Sequence, residues 1–108
     1  MIAILSPAKN MRAISLPYEI SLTEPQFPQK TQQILRELKQ YQPWQLEEKM
    51  KINSQIALSA FFYFQDFSWD SLRYPALLSY YGLAYQNLDA HNFSMVDLQF
   101  AQDHLRIL

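Results

Sequence analysis

The sequence predicts a mixed α/β fold, and three stretches carry that prediction. Ile2-Ala3-Ile4-Leu5 is an unbroken apolar run that stops at Ser6-Pro7. Residues 29–64 place apolar side chains at helical spacing, with breaks at Pro43 and at Asn53-Ser54. Leu105-Arg106-Ile107-Leu108 returns to strand-like composition after a segment opened by Ser94, with Asp97 three residues on. Strand, then helices, then strand is the element order of an α/β chain.

In chain order, residues 2–5 read as a strand buried on both faces, because the run is apolar at every position and ends at a turn signal. Pro7 stops further pairing, since it has no backbone N–H and a fixed φ. Ser6 and Lys9 then lie just past the C-terminal end of the strand. In open α/β sheets ligands bind at that edge, and a hydroxyl with an ammonium group there suits a phosphate or another anion. Residues 10–28 read as irregular, interrupted by Pro17, Pro25 and Pro28, and Arg12 extends the small group of cations begun at Lys9. The plainer alternative stays open for all three: a turn-capping serine, solvated cations and a surface crossover.

Residues 29–41 read as a helix with Ile34, Leu35, Leu38 and Tyr41 on one face. Pro43 ends it and suits the first turn of a second helix over 43–51, whose charged surface holds Glu47, Glu48, Lys49 and Lys51. Asn53 or Ser54 caps a third helix starting near Gln55. Two helices around a tight turn form either an ordinary αα-hairpin or a helix–hairpin–helix that presents turn amides and Lys49 and Lys51 to DNA phosphates. The third helix is apolar nearly all round, through Ile56, Leu58, Phe61, Phe62 and Phe64. Such a helix requires burial on all sides, which predicts contact of segment 56–64 with a missing C-terminal half or with a second copy.

Past a turn at Ser68-Trp69-Asp70, Ala76–Tyr81 reads as a strand ended by Gly82, and Tyr85 with Leu88 as a short helix or turn. Ser94 and Asp97 form a capping box for a helix that turns Met95, Leu98 and Ala101 inward. Leu105–Leu108 then reads as a strand cut short.

Composition excludes several chemistries. The 108 residues hold no cysteine, so disulfides, thiolate nucleophiles and cysteine-ligated metals are absent. The single glycine excludes a phosphate-binding loop or a dinucleotide fingerprint. A net charge of −1 gives no global basic footprint for nucleic acid. No apolar stretch approaches the ~20 residues of a membrane helix. His91 and His104 lack the spacing of a helical metal site, and no local serine or carboxylate constellation points to catalysis. No cofactor and no catalytic residue are therefore predicted.

Three segments carry a resemblance: Ser6-Pro7-Ala8-Lys9 behind the first strand, Leu77–Leu88, and Phe100–Leu108. Together they resemble the YaaA family of bacterial peroxide-stress proteins, along essentially the whole chain. Family members are more than twice this length, so the resemblance implies a single domain, 1–108, forming the N-terminal part of a longer protein. It also implies a cytoplasmic role in the hydrogen peroxide response, limiting free iron and protecting DNA, with DNA binding through the hairpin. Ser6, Lys9 and Tyr85 match the family pattern. Ser54 and Gln55 stand where members carry Asp-Lys, Ala60 and Tyr63 stand for an Asn and an Arg, and Gly82-Leu83 and Asn87 depart from Gly-Asp and a later Gly. Loss of Lys and Arg removes groups that neutralise phosphates, so the predicted DNA binding is weak and non-specific, through Ser6, Lys9, Arg12, Lys49 and Lys51. The alternative is an enzyme or binding protein for a phosphorylated or nucleotide-like small molecule, with Lys9 as the electrostatic group at the strand edge.

Overall fold

The computed structural model describes residues 1–15 and 19–108. Its strands are β1 (Ala3–Leu5), β2 (Asn10–Met11), β3 (Tyr80–Tyr81) and β4 (Leu105–Ile107). Its α-helices are α1 (Pro28–Leu38), α2 (Pro43–Met50), α3 (Ser54–Asp66), α4 (Ala76–Ser79), α5 (Leu83–Leu88) and α6 (Met95–His104), with a 3-10 turn at Ala90–Asn92. The fold is mixed α/β with small two-stranded sheets, as the sequence predicts. Contacts divide the chain into two units, Met1–Leu22 with Arg73–Leu108, and Thr23–Leu72.

In the first unit β1 pairs in parallel with β4, in the register Ala3–Leu105, Ile4–Arg106 and Leu5–Ile107. The N–H of Leu108 continues the ladder to the carbonyl of Leu5 at 3.0 Å. The predicted burial of β1 on both faces is not found: Ile4 is 63% exposed and only Leu5 is partly covered. A two-stranded sheet supplies one neighbour and no layer above or below, so an apolar strand forms without being enclosed. β2 pairs antiparallel with β3, which places order at Asn10–Met11 within the stretch read as irregular. Pro17 of that stretch lies outside the described residues.

The predicted strand at 76–81 is a helical turn followed by a two-residue strand. Pro75 starts the turn, accepting at its carbonyl from the N–H groups of Leu78 and Ser79. Leu78, Ser79, Tyr85 and Ala90 are buried and form the centre of this unit. Helix α6 begins at the predicted capping box: the Asp97 N–H donates to Ser94 Oγ, and the Ser94 N–H donates to Asp97 Oδ2. Leu98 and Ala101 are half-buried as predicted, but Met95 is exposed, being in the first turn where little chain lies across it.

The second unit is helical. Helix α1 starts at Pro28 and α2 at Pro43, each proline at a position whose N–H is not needed. The side chain of Asn53 caps α3 by accepting from the Ile56 N–H at 2.8 Å. Helices α2 and α3 form a helical hairpin through Lys51-Ile52-Asn53, and Leu35, Leu46 and Ala57 are the buried residues of the unit. Trp69 Nε1 donates to Gln32 Oε1, and Gln65 Nε2 to the carbonyl of Lys39, tying the end of the unit back to α1. Helix α3 is not enclosed: Ile56, Leu58, Phe62 and Tyr63 are exposed and only Ala57 is fully covered.

The shortage of glycine has a structural counterpart. Helices α2 and α5 end on a left-handed residue, the usual place for glycine, yet here those residues are Lys51 (φ 55°) and Asp89 (φ 53°). The single glycine serves close approach instead. A Cβ at Gly82 would lie 3.1 Å from Cβ of Ala8, so the Ser6–Lys9 loop rests against it.

Candidate functional site

The loop after β1 is held from two sides. Gly82 admits Ala8, and the buried phenol of Tyr85 donates to the carbonyl of Ser6 at 2.7 Å. Burial, with a lesser contribution from Tyr80, pushes the Tyr85 phenol up from its ordinary value and keeps it a donor. The Tyr80 and Tyr85 rings lie 5.3 Å apart. Tyr85, one of the matches to the family pattern, thus fixes the backbone of Ser6. The side chains of Ser6 and Lys9 are exposed.

Arg12 is positioned through its backbone. Its N–H donates to the Ser79 carbonyl and its carbonyl accepts from Ser79 Oγ, both at 2.9 Å. Its guanidinium lies over the Tyr81 ring, 4.7 Å from the centroid, where the ring quadrupole attracts a cation. Its Nη2 is 3.2 Å from His91 Nε2. A guanidinium has no acceptor, so the imidazole accepts there. These groups line a cleft of about 200 Å³ that also includes Tyr80, Tyr85 and Asp89. Asp89 holds the turn that carries His91, accepting from Asn92 Nδ2.

Of the predicted site residues, Arg12 alone lines this cleft; Ser6 and Lys9 do not. Lys49 and Lys51 belong to the other unit. Both are exposed near the hairpin turn, with Lys49 Nζ 4.9 Å from the centroid of the Tyr41 ring. Tyr81 and His91 escaped the sequence reading, which placed them in a strand and in a polar turn. The close repetition of Tyr80, Tyr81 and Tyr85 is the local signal for an aromatic-lined cleft. Among the described residues no group of three or more His, Asp or Glu is placed to hold a metal ion, and no helix is long and apolar enough to cross a membrane.

Fold and site define a mixed α/β protein that presents an arginine among tyrosines at the end of a short antiparallel strand pair. The chain belongs to the family described as Peroxide stress protein YaaA, which it matches over residues 1–108. It is similar to a UPF0246 protein of Clostridioides difficile strain 630, with 37% identity over 108 residues, covering 100% of this chain and 43% of the relative. A UPF0246 protein of Phocaeicola vulgatus is 36% identical over 108 residues, covering 99% of this chain and 42% of the relative. The chain therefore spans less than half the length of these relatives.

Proposed function

We propose that this chain serves in the cytoplasm, in the peroxide stress that its family's description names, through weak and non-specific contact with the DNA backbone. The observation that carries this reading is the hairpin of α2 and α3, with Lys49 and Lys51 exposed near its turn. Lys51 supports it further. A lysine is kept in a left-handed conformation where glycine fits without strain, and strain of that kind accompanies function more often than chance. Ser6, Lys9 and Arg12 offer a second, smaller group in the other unit. Protection of DNA follows from covering its backbone. A net charge of −1 keeps the affinity low, since only local cations face the phosphates.

Anisotropy titrations of duplex DNA over a range of salt concentrations test this. Affinity should fall steeply with salt and should not depend on sequence. Replacing Lys49 and Lys51 together by alanine should lower the slope of log affinity against log salt by about 1.8, at roughly 0.9 per phosphate contact. An unchanged slope, or no binding at low salt, would remove the reading.

The cleft at Arg12 favours a second reading, a binding site for a phosphorylated or nucleotide-like small molecule. It moves the electrostatic role from Lys9, which does not line the cleft, to Arg12, which does.

A further inference from the structure

We infer that the cleft of Arg12, Tyr80, Tyr81, Tyr85, Asp89 and His91 takes a single nucleoside monophosphate unit, free or at an unpaired position of a DNA strand. This goes beyond duplex binding by the hairpin and rests on residues of the other unit. The chemistry divides within one cavity. Arg12 supplies a planar cation that lies 4.7 Å from the Tyr81 ring centroid and turns Nη2 to His91 Nε2. A phosphate oxygen is a stronger acceptor for a guanidinium than an imidazole is, so an incoming phosphate displaces His91 from Arg12 and gains a charge-assisted contact. Tyr80 and Tyr81 line the cleft with aromatic rings of the kind on which bases stack. Asp89, at the turn beyond α5, offers an acceptor for a sugar hydroxyl or a base amino group. A volume of about 200 Å³ is below the ~300–1,000 Å³ of ordinary ligand pockets, so the cleft encloses only part of one mononucleotide and has no room for a second.

The arrangement requires both halves of the ligand. Inorganic phosphate would meet Arg12 without the rings, and a nucleoside would meet the rings without the cation. The test is calorimetric titration of the purified chain with adenosine monophosphate, adenosine, inorganic phosphate and a short single-stranded oligonucleotide. The monophosphate should bind more tightly than phosphate, which gains no ring contact, and at least about tenfold more tightly than adenosine, the difference expected for one charge-assisted contact. Arg12→Gln should remove that advantage. Arg12→Lys, which keeps the charge and loses the planar fork, should retain only part of it. Neither substitution touches the backbone pairing to Ser79, and circular dichroism checks that both variants are folded. Tyr81→Leu removes both a ring of the cleft and the surface under Arg12, so it should weaken the monophosphate more than it weakens phosphate. Competition between the free monophosphate and the oligonucleotide shows that both occupy the cleft, and the tighter of the two names the source. The variant with Lys49 and Lys51 replaced by alanine should keep its monophosphate affinity, which separates failure of the hairpin reading from failure of this one. Equal binding by wild type and Arg12→Gln, or no difference between phosphate and the monophosphate, would overturn the proposal.

Discussion

Two residues show how single positions are set against each other in this chain. Tyr85 is 7% exposed, and its hydroxyl reaches the carbonyl of Ser6. Tyr85→Phe keeps the ring and removes the hydrogen bond, so it should cost about 1 kcal/mol in a denaturant titration. Burial raises the folded-state pKa of this phenol. The stabilisation it carries is therefore fully present below the ordinary tyrosine value of about 10 and is lost as pH rises through the higher folded value. The phenylalanine variant should lose that alkaline step. Lys51 is the opposite case, with its left-handed backbone disfavoured by its own Cβ. Lys51→Gly should stabilise the hairpin by about 0.5–1 kcal/mol and at the same time weaken DNA binding. A variant both more stable and equally good at binding would show that this lysine is not held there for phosphate contact.

The elements were legible wherever their signals are local. Proline at Pro43, the cap at Asn53 and the box at Ser94–Asp97 each act within four residues, and each opens a helix where the sequence places one, whereas Pro28, read as a break in an irregular stretch, is the first residue of α1. Asn53→Ala should therefore destabilise the hairpin by about 1 kcal/mol, read as a lower thermal midpoint. At the α6 box, the Ser94 hydroxyl and then its backbone N–H hold the Asp97 carboxyl below its ordinary value. That stabilisation is present above the ordinary carboxylate range and is lost as pH falls through the depressed value. Ser94→Ala should flatten the loss of helicity on acidification. The cleft was not legible, because Arg12 and His91 stand 79 positions apart and are brought together by the pairing of β2 with β3 and of Arg12 with Ser79. Nor was the turn at 76–79, where a composition suited to a strand yields to Pro75 and to the buried hydroxyl of Ser79 bonding Arg12. Local chemistry sets where elements start; long-range pairing decides which side chains share a cavity.

At the scale of the whole molecule, surface area decides. Within each unit few side chains are fully enclosed among the described residues, and much of what is exposed is apolar. Ile56, Leu58, Phe62 and Tyr63 lie open on α3, with Trp44 on α2 and Ile34 on α1. Exposed apolar side chains in this number promote association, so the purified chain should sediment as a concentration-dependent mixture and enhance the fluorescence of a hydrophobic dye. Phe62→Glu should reduce both effects with little loss of helicity, because Phe62 is more than half exposed and its removal opens no cavity. Ala57→Leu is the contrasting substitution. Ala57 is fully enclosed in the unit that α2 and α3 share, and three added carbons there should cost about 1–3 kcal/mol through overpacking. A monomer at all concentrations, with no dye enhancement and an unaffected Phe62→Glu variant, would show that the exposed face of α3 has no affinity for its own kind.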